Sequence, residues 1–374
     1  DETSGRRLEK YRDCPVYEGT VWGKRMKKLT LAITIANREK ALLQDLDYEN
    51  GYSLYVGIPF CPSICLYCSF GSHPLERWTK RVDEYLDTLC KELTFIREQM
   101  GARKLTTVYI GGGTPTTLEP EQLRRLLSHI QETFDFTWVK EYTVEAGRPD
   151  SITREKLQVM KEFPVTRISV NPQTMNQKTL DVIGRKHTVE DTINIFHMAR
   201  ELEFDNINMD LIIGLPGEGK EEVAHTLQEV EKLHPDSLTI HSLALKRATR
   251  LNLFKDKYEE MSFENSKEIM EMTQQCAENM GMGPYYLYRQ KNIAGNFENV
   301  GYAEVDKAGI YNILIMEEKQ TILAAGAGAS TKFVFEHGTR IERVENVKDV
   351  NNYILRIDEM LERKRVGIQK YLNG

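Results

Sequence analysis

Three cysteines lie close together in the first quarter of the chain. Cys61, Cys65 and Cys68 fall within the stretch GIPFCPSICLYCSF, and the whole chain has only six cysteines. Thiolates at the spacing C-x3-C-x2-C can hold three corners of a cubane iron–sulfur cluster and leave the fourth iron without a protein ligand. That iron can bind the amino and carboxylate groups of S-adenosylmethionine (SAM) and pass an electron into its sulfonium bond, which generates a carbon radical.

The same cysteines could instead hold a structural zinc ion. Zinc takes four tetrahedral ligands, and His73 is a candidate for the fourth. Zinc sites usually pair their cysteines two by two and seldom follow a buried strand directly, so the sequence favours the cubane. The remaining cysteines, Cys14, Cys90 and Cys276, are scattered singly and are predicted to be buried and inert.

An alternation of strands and helices must position this cluster. Strands are predicted at 52–58, 106–113, 141–147, 166–172, 206–217 and 237–245. Helical spacing of apolar residues marks the segments between them, so parallel pairing with right-handed crossovers is expected. The predicted fold class is α/β, a partial (β/α)6 barrel resembling a TIM barrel, with the active site at the carboxyl ends of the strands.

The predicted alternation of strands and helices, and where it begins and ends, divides the chain into three regions. Residues 1–51 are predicted to be an N-terminal helical segment, 52–246 the barrel core, and 247–374 a smaller α+β region that covers the substrate. The chain begins at Asp1 rather than at a methionine, as a truncated protein does.

A glycine-rich stretch, GGGTPT at 111–116, follows the second predicted strand. Glycines at a strand end let the backbone approach a ligand closely, and exposed N–H and C=O groups there can bind a charged amino-acid moiety. The alternative is a tight turn. Its position directly beside the cysteine strand favours the binding interpretation.

Polar side chains also stand at the ends of the later strands. Glu145, Gln173, Asp210 and His241 could contact ribose hydroxyls, a sulfonium or an adenine edge, or could be core polar groups that are satisfied internally. Arg185, in GRKHT, could pair with a carboxylate or lie on the surface.

Composition excludes several classes of protein. A formal charge of -6 gives no basic surplus for nucleic-acid binding, and no apolar run is long enough to cross a bilayer, so a cytoplasmic protein is predicted. The stretch GLPGEGKE, from Gly214, matches the first part of the phosphate-binding loop pattern G-x4-G-K-[ST]. Glu221 stands where that pattern needs Ser or Thr to ligate magnesium, so binding of a nucleoside triphosphate is not predicted.

Taken in order, the cysteine motif, GGGTPT, Glu145, NPQT, GRKHT, NMDLIIGLPG and GAGAS resemble the radical SAM family of oxygen-independent coproporphyrinogen III dehydrogenases. The resemblance covers roughly residues 52–332. It is strongest to the HemZ-type branch, through YVGIPFCPSICLYCSF and YYLYRQKNIAGNFENVGYA. It implies a [4Fe–4S] cluster on Cys61, Cys65 and Cys68 and one or two molecules of SAM.

The resemblance also implies, motif by motif, which residues contact SAM. They are Tyr55, Tyr67, Gly112, Gly113, Thr114, Glu145, Gln173, Arg185, Asp210, Ala244 and Ala327. Within this set Gly112, Gly113 and Thr114 would hold the methionine part. No residue is assigned as a catalytic acid or base.

Two features separate the chain from the better-defined branches. Phe70 stands where dehydrogenases that complete haem synthesis commonly carry a fourth cysteine, and the His-Asn-x-x-Tyr-Trp signature of the haem chaperones is replaced by RQKNIAGNFENVGYA. The choice of substrate therefore stays open.

The activity implied by the resemblance is oxidative decarboxylation of coproporphyrinogen III propionates to vinyl groups by a 5′-deoxyadenosyl radical, giving protoporphyrinogen IX. Arg289 and Lys291, beside Tyr288, are candidates for binding the substrate carboxylates, or belong to a strand with outward charges. The alternatives are a haem-binding chaperone and an enzyme that modifies or degrades haem, with methyl transfer as one such reaction. The expected partners are a tetrapyrrole and a reductant such as flavodoxin or ferredoxin, with no nucleic acid.

Overall fold

The computed structural model describes residues 21–68, 73–244, 249, 251, 263–288 and 297–373, with side chains from residue 30 onward. Among the residues predicted to matter, Cys14, Phe70, Arg289 and Lys291 lie outside the described residues. Within the described parts, no helix has both the length and the apolar character needed to span a membrane.

Strands and helices alternate through most of the described chain. The strands are β1 (Tyr52–Ile58), β2 (Phe60–Cys61), β3 (His73–Pro74), β4 (Leu105–Gly112), β5 (Glu141–Gly147), β6 (Arg167–Val170), β7 (Ile207–Ile213), β8 (Ser237–Ser242), β9 (Gly283–Tyr288), β10 (Asn299–Ala303), β11 (Thr321–Ala325), β12 (Ser330–Phe335) and β13 (Arg340–Glu345). The helices are α1 (Val21–Leu43), α2 (Val82–Met100), α3 (Pro120–Thr133), α4 (Arg154–Lys161), α5 (Gln177–Val182), α6 (Val189–Glu201), α7 (Lys220–Leu233), α8 (Lys267–Asn279), α9 (Ile310–Met316), α10 (Val350–Leu355) and α11 (Ile357–Asn373).

The main sheet has 11 strands in the order β13-β12-β11-β1-β4-β5-β6-β7-β8-β10-β9. The six predicted strands, β1 and β4 to β8, are neighbours and run parallel. A parallel strand that is covered on both faces is buried along nearly its whole length and is mostly apolar in sequence. β1 has this pattern, since six of its seven residues are buried. The α/β class with a central parallel sheet is confirmed.

Several strands are shorter than the sequence predicts. β6 ends at Val170, because Pro172 has no N–H to continue the ladder. β7 ends at Ile213, where Gly214 takes a φ of 89° and turns the chain away from the sheet.

The strands that follow residue 246 extend the same sheet at both sides. β11 joins β1 in parallel, and β10 joins β8 in antiparallel fashion. The cysteine strand β1 therefore lies between β4 and β11 inside the sheet. The predicted boundary near residue 246 stays a prediction, but the two regions on either side share one sheet.

The N-terminal helix α1 is fixed to the end of the sheet beside β9 and β10. Arg38 donates hydrogen bonds to the carbonyl oxygens of Gly283, Ala303 and Glu304, and Ile35 is buried. The sequence predicts a helical segment over residues 1–51, and in the structure one face of α1 packs on β9 and β10.

A buried ion pair joins α2 to α11. Lys364 Nζ lies 3.1 Å from Glu92 Oε1, and neither side chain is exposed to solvent. The ammonium also donates to the carbonyl oxygen of Ala324, 2.6 Å away, and to Thr331 Oγ1. The three donors of Lys364 are therefore all used inside the protein.

Glu92 accepts three further hydrogen bonds. They come from the Gly326 N–H at 2.9 Å, from Asn346 Nδ2 at 2.8 Å and from the Tyr353 hydroxyl at 2.6 Å. A buried carboxylate is stable only when its oxygens are paired in this way, so Glu92 fixes the loop after β11 and the two last helices together.

Tyr85 extends this network to the end of β1. Its hydroxyl donates to the Gly57 carbonyl oxygen at 2.6 Å and accepts from the Ala327 N–H at 3.1 Å. Gly326 has a φ of 111°, and a Cβ there would lie 2.5 Å from the Gly57 oxygen. A glycine is required because the two backbones touch.

Replacing Lys364 by Met should lower the free energy of unfolding by about 3–5 kcal/mol, since Glu92 would remain buried without its cation. Urea unfolding followed by circular dichroism measures the change. Adding Glu92→Gln to Lys364→Met should restore part of the loss, because the uncompensated charge is then removed.

Lys91→Met is the matched control for this experiment. Lys91 also joins α2 to α11, through Asp358, but on the surface, so its replacement should leave the unfolding curve nearly unchanged. Equal losses in Lys364→Met and Lys91→Met would contradict the assignment of the buried pair as the main link.

Candidate functional site

The three clustered cysteines lie on the loop that follows β1. Cys61 ends β2, and Cys61 and Cys65 are buried. The Cys68 N–H donates to the Cys65 carbonyl oxygen at 3.2 Å, and the Leu66 N–H donates to the carbonyl oxygen of Ile183 at 2.9 Å. None of the described cysteines is in a disulfide.

Two donors point at the sulfurs of this loop. Thr114 Oγ1 lies 3.5 Å from Cys61 Sγ, and Arg148 Nη1 lies 3.5 Å from Cys65 Sγ. Such donors stabilise thiolates, the form in which cysteine binds metal. The residues present therefore fit an iron–sulfur cluster held by three cysteines.

The zinc alternative needs His73 near the same sulfurs. In the structure His73 Nε2 lies 3.4 Å from the Lys348 carbonyl oxygen, and its ring packs against Trp78. Among the described residues, no three or more His, Cys, Asp and Glu side chains are placed to hold a single metal ion. A cubane does not need this convergence, because each cysteine binds a different iron.

The glycine-rich stretch after β4 packs against the cysteine strand. The Gly113 N–H donates to the Ile58 oxygen at 2.7 Å, and the Thr114 N–H donates to the Phe60 oxygen at 2.8 Å. A Cβ at Gly113 would lie 2.5 Å from the Phe60 oxygen. These two N–H groups are therefore used within the protein, while Gly112 is exposed and Gly113 partly exposed. Binding of a ligand by this stretch stays a prediction.

Glu145 lies beside a column of three tyrosines at the end of β5. The Tyr109 hydroxyl donates to Glu145, and the Tyr109 ring stacks between Tyr55 at 6.2 Å and Tyr311 at 4.4 Å. Burial raises the pKa of Glu145 to about 7, although the Tyr109 hydrogen bond acts in the opposite direction. A Cβ at Gly111 would lie 2.7 Å from Glu145 Oε2, so that glycine makes room for the carboxyl group.

Asp210 on β7 contacts His241 on β8. His241 Nε2 lies 3.7 Å from Asp210 Oδ2, and Asn208 Nδ2 donates to Asp210 Oδ1 at 2.7 Å. Burial acts to raise the pKa of Asp210, but the hydrogen bonds from His241 and Asn208 outweigh it and keep that pKa below its ordinary value. The other ring nitrogen of His241 hydrogen-bonds the Tyr288 hydroxyl at 2.9 Å.

Gln173 and Arg185 are both buried, so Arg185 is not a surface residue. Gln173 has a φ of 70°, and its N–H donates to the Asp210 carbonyl oxygen at 3.0 Å. Arg185 donates to the Asn171 carbonyl oxygen at 2.9 Å and to the Tyr67 hydroxyl at 3.0 Å. Arg185 Nε is buried and has no hydrogen-bond partner among the described residues, so its N–H is available to a ligand or a water molecule.

The contacts bring the predicted residues into separate groups. They are Cys61 with Thr114, Tyr67 with Arg185, Glu145 with Tyr109 and Tyr55, and Gln173 with Asp210. Ala244 follows β8, and the Ala327 N–H is bonded to Tyr85, so neither is joined to these groups by a hydrogen bond described here.

Sequence reasoning missed Arg148. This residue follows the end of β5 directly, where the fold places site residues, and its side chain contacts Cys65. The signal was the arginine in EAGRPD next to a predicted strand end. Of the scattered cysteines predicted to be buried and inert, Cys276 is buried and Cys90 is half-buried. Burial raises the pKa of the Cys90 thiol to about 11 and that of the Cys276 thiol to about 12.

Glu145→Gln should flatten the dependence of stability on pH. The pKa of Glu145 in the folded protein is about 7, above its ordinary 4.5, so the folded state binds this proton more tightly and the free energy of unfolding falls as pH rises between those values. Urea unfolding at pH 5 and pH 7.5 should show a smaller fall in the variant than in the wild type.

The exposed Glu121 provides the control, because Glu121→Gln should leave the pH profile of the wild type unchanged. Superimposable profiles for the Glu145→Gln variant and the wild type would show that Glu145 titrates normally.

Comparison with known proteins identifies relatives of this chain. Residues 55–230 match the Radical SAM superfamily. The oxygen-independent coproporphyrinogen-III oxidase-like protein HemZ of Bacillus subtilis is 44% identical over 342 residues, which cover 90% of this chain and 68% of HemZ. The haem chaperone HemW of the same organism is 37% identical over 198 residues, 53% of this chain and 52% of HemW.

A solved structure has a similar fold. Coproporphyrinogen III oxidase HemN from Escherichia coli, a radical SAM enzyme, superposes with a TM-score of 0.66 at 25% identity. The superposition covers 86% of this chain and 73% of the HemN chain.

Proposed function

Because this chain belongs to the radical SAM superfamily, and within it to the coproporphyrinogen III oxidase-like HemZ family, we propose that it is an enzyme that decarboxylates the propionates of coproporphyrinogen III. The observation that carries the proposal is the 44% identity to HemZ, which extends over nine tenths of this chain. In the proposed reaction each converted propionate gives a hydrogen atom to the 5′-deoxyadenosyl radical, releases carbon dioxide and passes one electron to an external one-electron acceptor, and so becomes a vinyl group.

The cofactors of the superfamily are a [4Fe–4S] cluster and SAM, as the sequence predicts. In our proposal Cys61, Cys65 and Cys68 hold the cluster, and the chemistry supplied by the bound pair is generation of the radical that removes hydrogen from the substrate. Buried Arg185, whose Nε has no hydrogen-bond partner in the part of the chain that the structure describes, would donate to the polar groups of SAM.

Two groups of the chain would orient SAM beside the cluster. Tyr67, two places from Cys65, is held by Arg185, and Glu145 is held by Tyr109. Their fixed positions support a site that is preorganised, because side chains locked by a second set of hydrogen bonds need little rearrangement when a ligand binds.

A tetrapyrrole needs a broad aromatic surface and cations for its carboxylates. On β9 the half-buried Tyr288 stacks on the buried Tyr286, with their ring centroids 6.3 Å apart, and Tyr288 contacts His241 near the end of β8. We propose that this end of β9, with Arg289 and Lys291 directly after it, contacts the substrate.

The decisive experiment is anaerobic reconstitution of the chain with iron and sulfide, followed by reduction and separate addition of coproporphyrinogen III and haem. Mass spectrometry should find 5′-deoxyadenosine only with coproporphyrinogen III. The product should be lighter by carbon dioxide and two hydrogens for each propionate converted. A protein that holds its cluster but cleaves SAM with neither tetrapyrrole would reject this function, and S-adenosylhomocysteine formed with haem would indicate haem modification instead.

Cys65→Ala should abolish the broad visible absorbance of the cluster, since one of the three ligands is lost. Cys90→Ala is the matched control, because Cys90 lies on α2 away from the cysteine loop and should leave the absorbance and the iron content unchanged. Full iron and sulfide content in Cys65→Ala would contradict the ligand assignment.

A second candidate function, haem delivery, is favoured by the contact between His241 and Tyr288. Imidazole and phenol groups are both axial ligands of haem iron, and the haem chaperone HemW is a relative. This function predicts stable binding of one haem per chain and little turnover, whereas the enzyme function predicts SAM cleavage that depends on the substrate.

Replacing His241 by Phe tests the second candidate directly. If His241 ligates haem iron, the variant should bind haem at least tenfold more weakly and lack the Soret shift of the wild type, because Phe keeps the ring but offers no nitrogen. His225→Phe, on the exposed side of α7, is the control. Equal haem affinity in the His241→Phe variant and the wild type would count against haem delivery through this residue.

A further inference from the structure

Arg148 is a buried arginine that sequence reasoning assigned no role. It follows β5, and only 3% of its surface is exposed. Its guanidinium is held by Asp150 through two parallel hydrogen bonds, Nε to Oδ1 at 2.9 Å and Nη2 to Oδ2 at 2.7 Å. Two such bonds fix both the position and the plane of the group.

The third nitrogen of the guanidinium faces the cysteine loop. Nη1 donates to the Ser63 carbonyl oxygen at 2.8 Å and lies 3.5 Å from Cys65 Sγ. The positive end of the Arg148–Asp150 pair is therefore directed at one particular sulfur. Cys61 has a neutral donor beside it, the hydroxyl of Thr114.

A buried histidine lies beside this pair. The side chain of Asp150 is 14% exposed, and His187 Nδ1 lies 3.9 Å from its Oδ1. His187 is almost fully buried, and neither of its ring nitrogens has a hydrogen-bond partner among the described residues. Enclosed on this side and bonded twice to Asp150, the guanidinium of Arg148 has little freedom to turn away from Cys65.

We propose that Arg148 is a positioning residue that orients the Cys65 thiolate and raises the reduction potential of the cluster which that thiolate helps to hold. A charged hydrogen bond withdraws electron density from the sulfur and so stabilises the reduced, more negative state of a cluster. This inference rests on the proposed function only in requiring that the three cysteines bind a [4Fe–4S] cluster.

The test is a redox titration of the reconstituted protein without tetrapyrrole, followed by electron paramagnetic resonance. In Arg148→Met, the ratio of reduced to oxidised cluster at the wild-type midpoint should fall about tenfold, which for a one-electron couple corresponds to about 59 mV. Arg148→Lys keeps the charge but loses the fork, so its midpoint should lie between the two.

Arg154→Met is the matched control. Arg154 is an exposed arginine on α4 that pairs with Glu201, so its loss should leave the midpoint at the wild-type value. A protein with Arg148→Met, full iron and sulfide content and a wild-type midpoint would overturn the proposal.

A second measurement uses the wild-type protein, so it still tests the contact between Arg148 and Cys65 if the Arg148 variants fail to fold or to bind the cluster. In wild-type protein grown with 15N-guanidino arginine, pulsed electron paramagnetic resonance of the reduced cluster should detect a coupled arginine nitrogen. Absence of that coupling would refute the contact. Arg185→Lys, in a parallel labelled sample, should keep the coupling, which assigns it to Arg148.

The two proposals fail separately. A shifted midpoint in Arg148→Met together with no turnover of coproporphyrinogen III would uphold the role of Arg148 and reject the proposed function. An unshifted midpoint in Arg148→Met, in a protein that does convert coproporphyrinogen III, would uphold the proposed function and reject the role of Arg148.

Discussion

The described structure depends on one buried carboxylate. Glu92 pairs with Lys364 and accepts hydrogen bonds from Gly326, Asn346 and Tyr353, so one side chain of α2 joins the loop after β11 to the two last helices. Tyr85, on the same helix, continues the connection to Gly57 at the end of β1. The strand that leads to the cysteines is therefore held in place by residues more than two hundred positions later, and Gly326 of GAGAS allows close backbone contact with Gly57.

The main parallel strands could be predicted from sequence because their pattern is local. Each consists of a few apolar residues next to an amphipathic helix, and Tyr52–Ile58 and Glu141–Gly147 have the bounds that were expected. The attachment of β11 to β1 could not be predicted in this way, since apolar strands give no information about which distant strand they pair with. The same limit hid the packing of Arg38 on β9 and β10.

The candidate site was predictable to the extent that its residues occur in motifs. The cysteine spacing and the strand-end positions mark Cys61, Glu145 and Asp210 as candidate site residues. The side chains that they contact cannot be predicted from these motifs. By sequence Arg148 resembles any loop arginine and the N–H of Gly113 an available donor, whereas in the structure Arg148 faces the cysteine loop and the Gly113 N–H donates to the last residue of β1. Burial and pairing, which decide such questions, are set by residues far away in sequence.

The position of β1 between β4 and β11 has a consequence for how the protein is made. The Gly326 N–H that bonds Glu92 is 234 residues further along the chain, and Lys364 follows later still. On the ribosome, β1 would have one open edge and Glu92 no cation until β11 and Lys364 have emerged. The strand that leads to the three thiols would therefore gain its last neighbour, and Glu92 its cation, only after the loop itself has been made, so metal insertion would follow the emergence of Lys364.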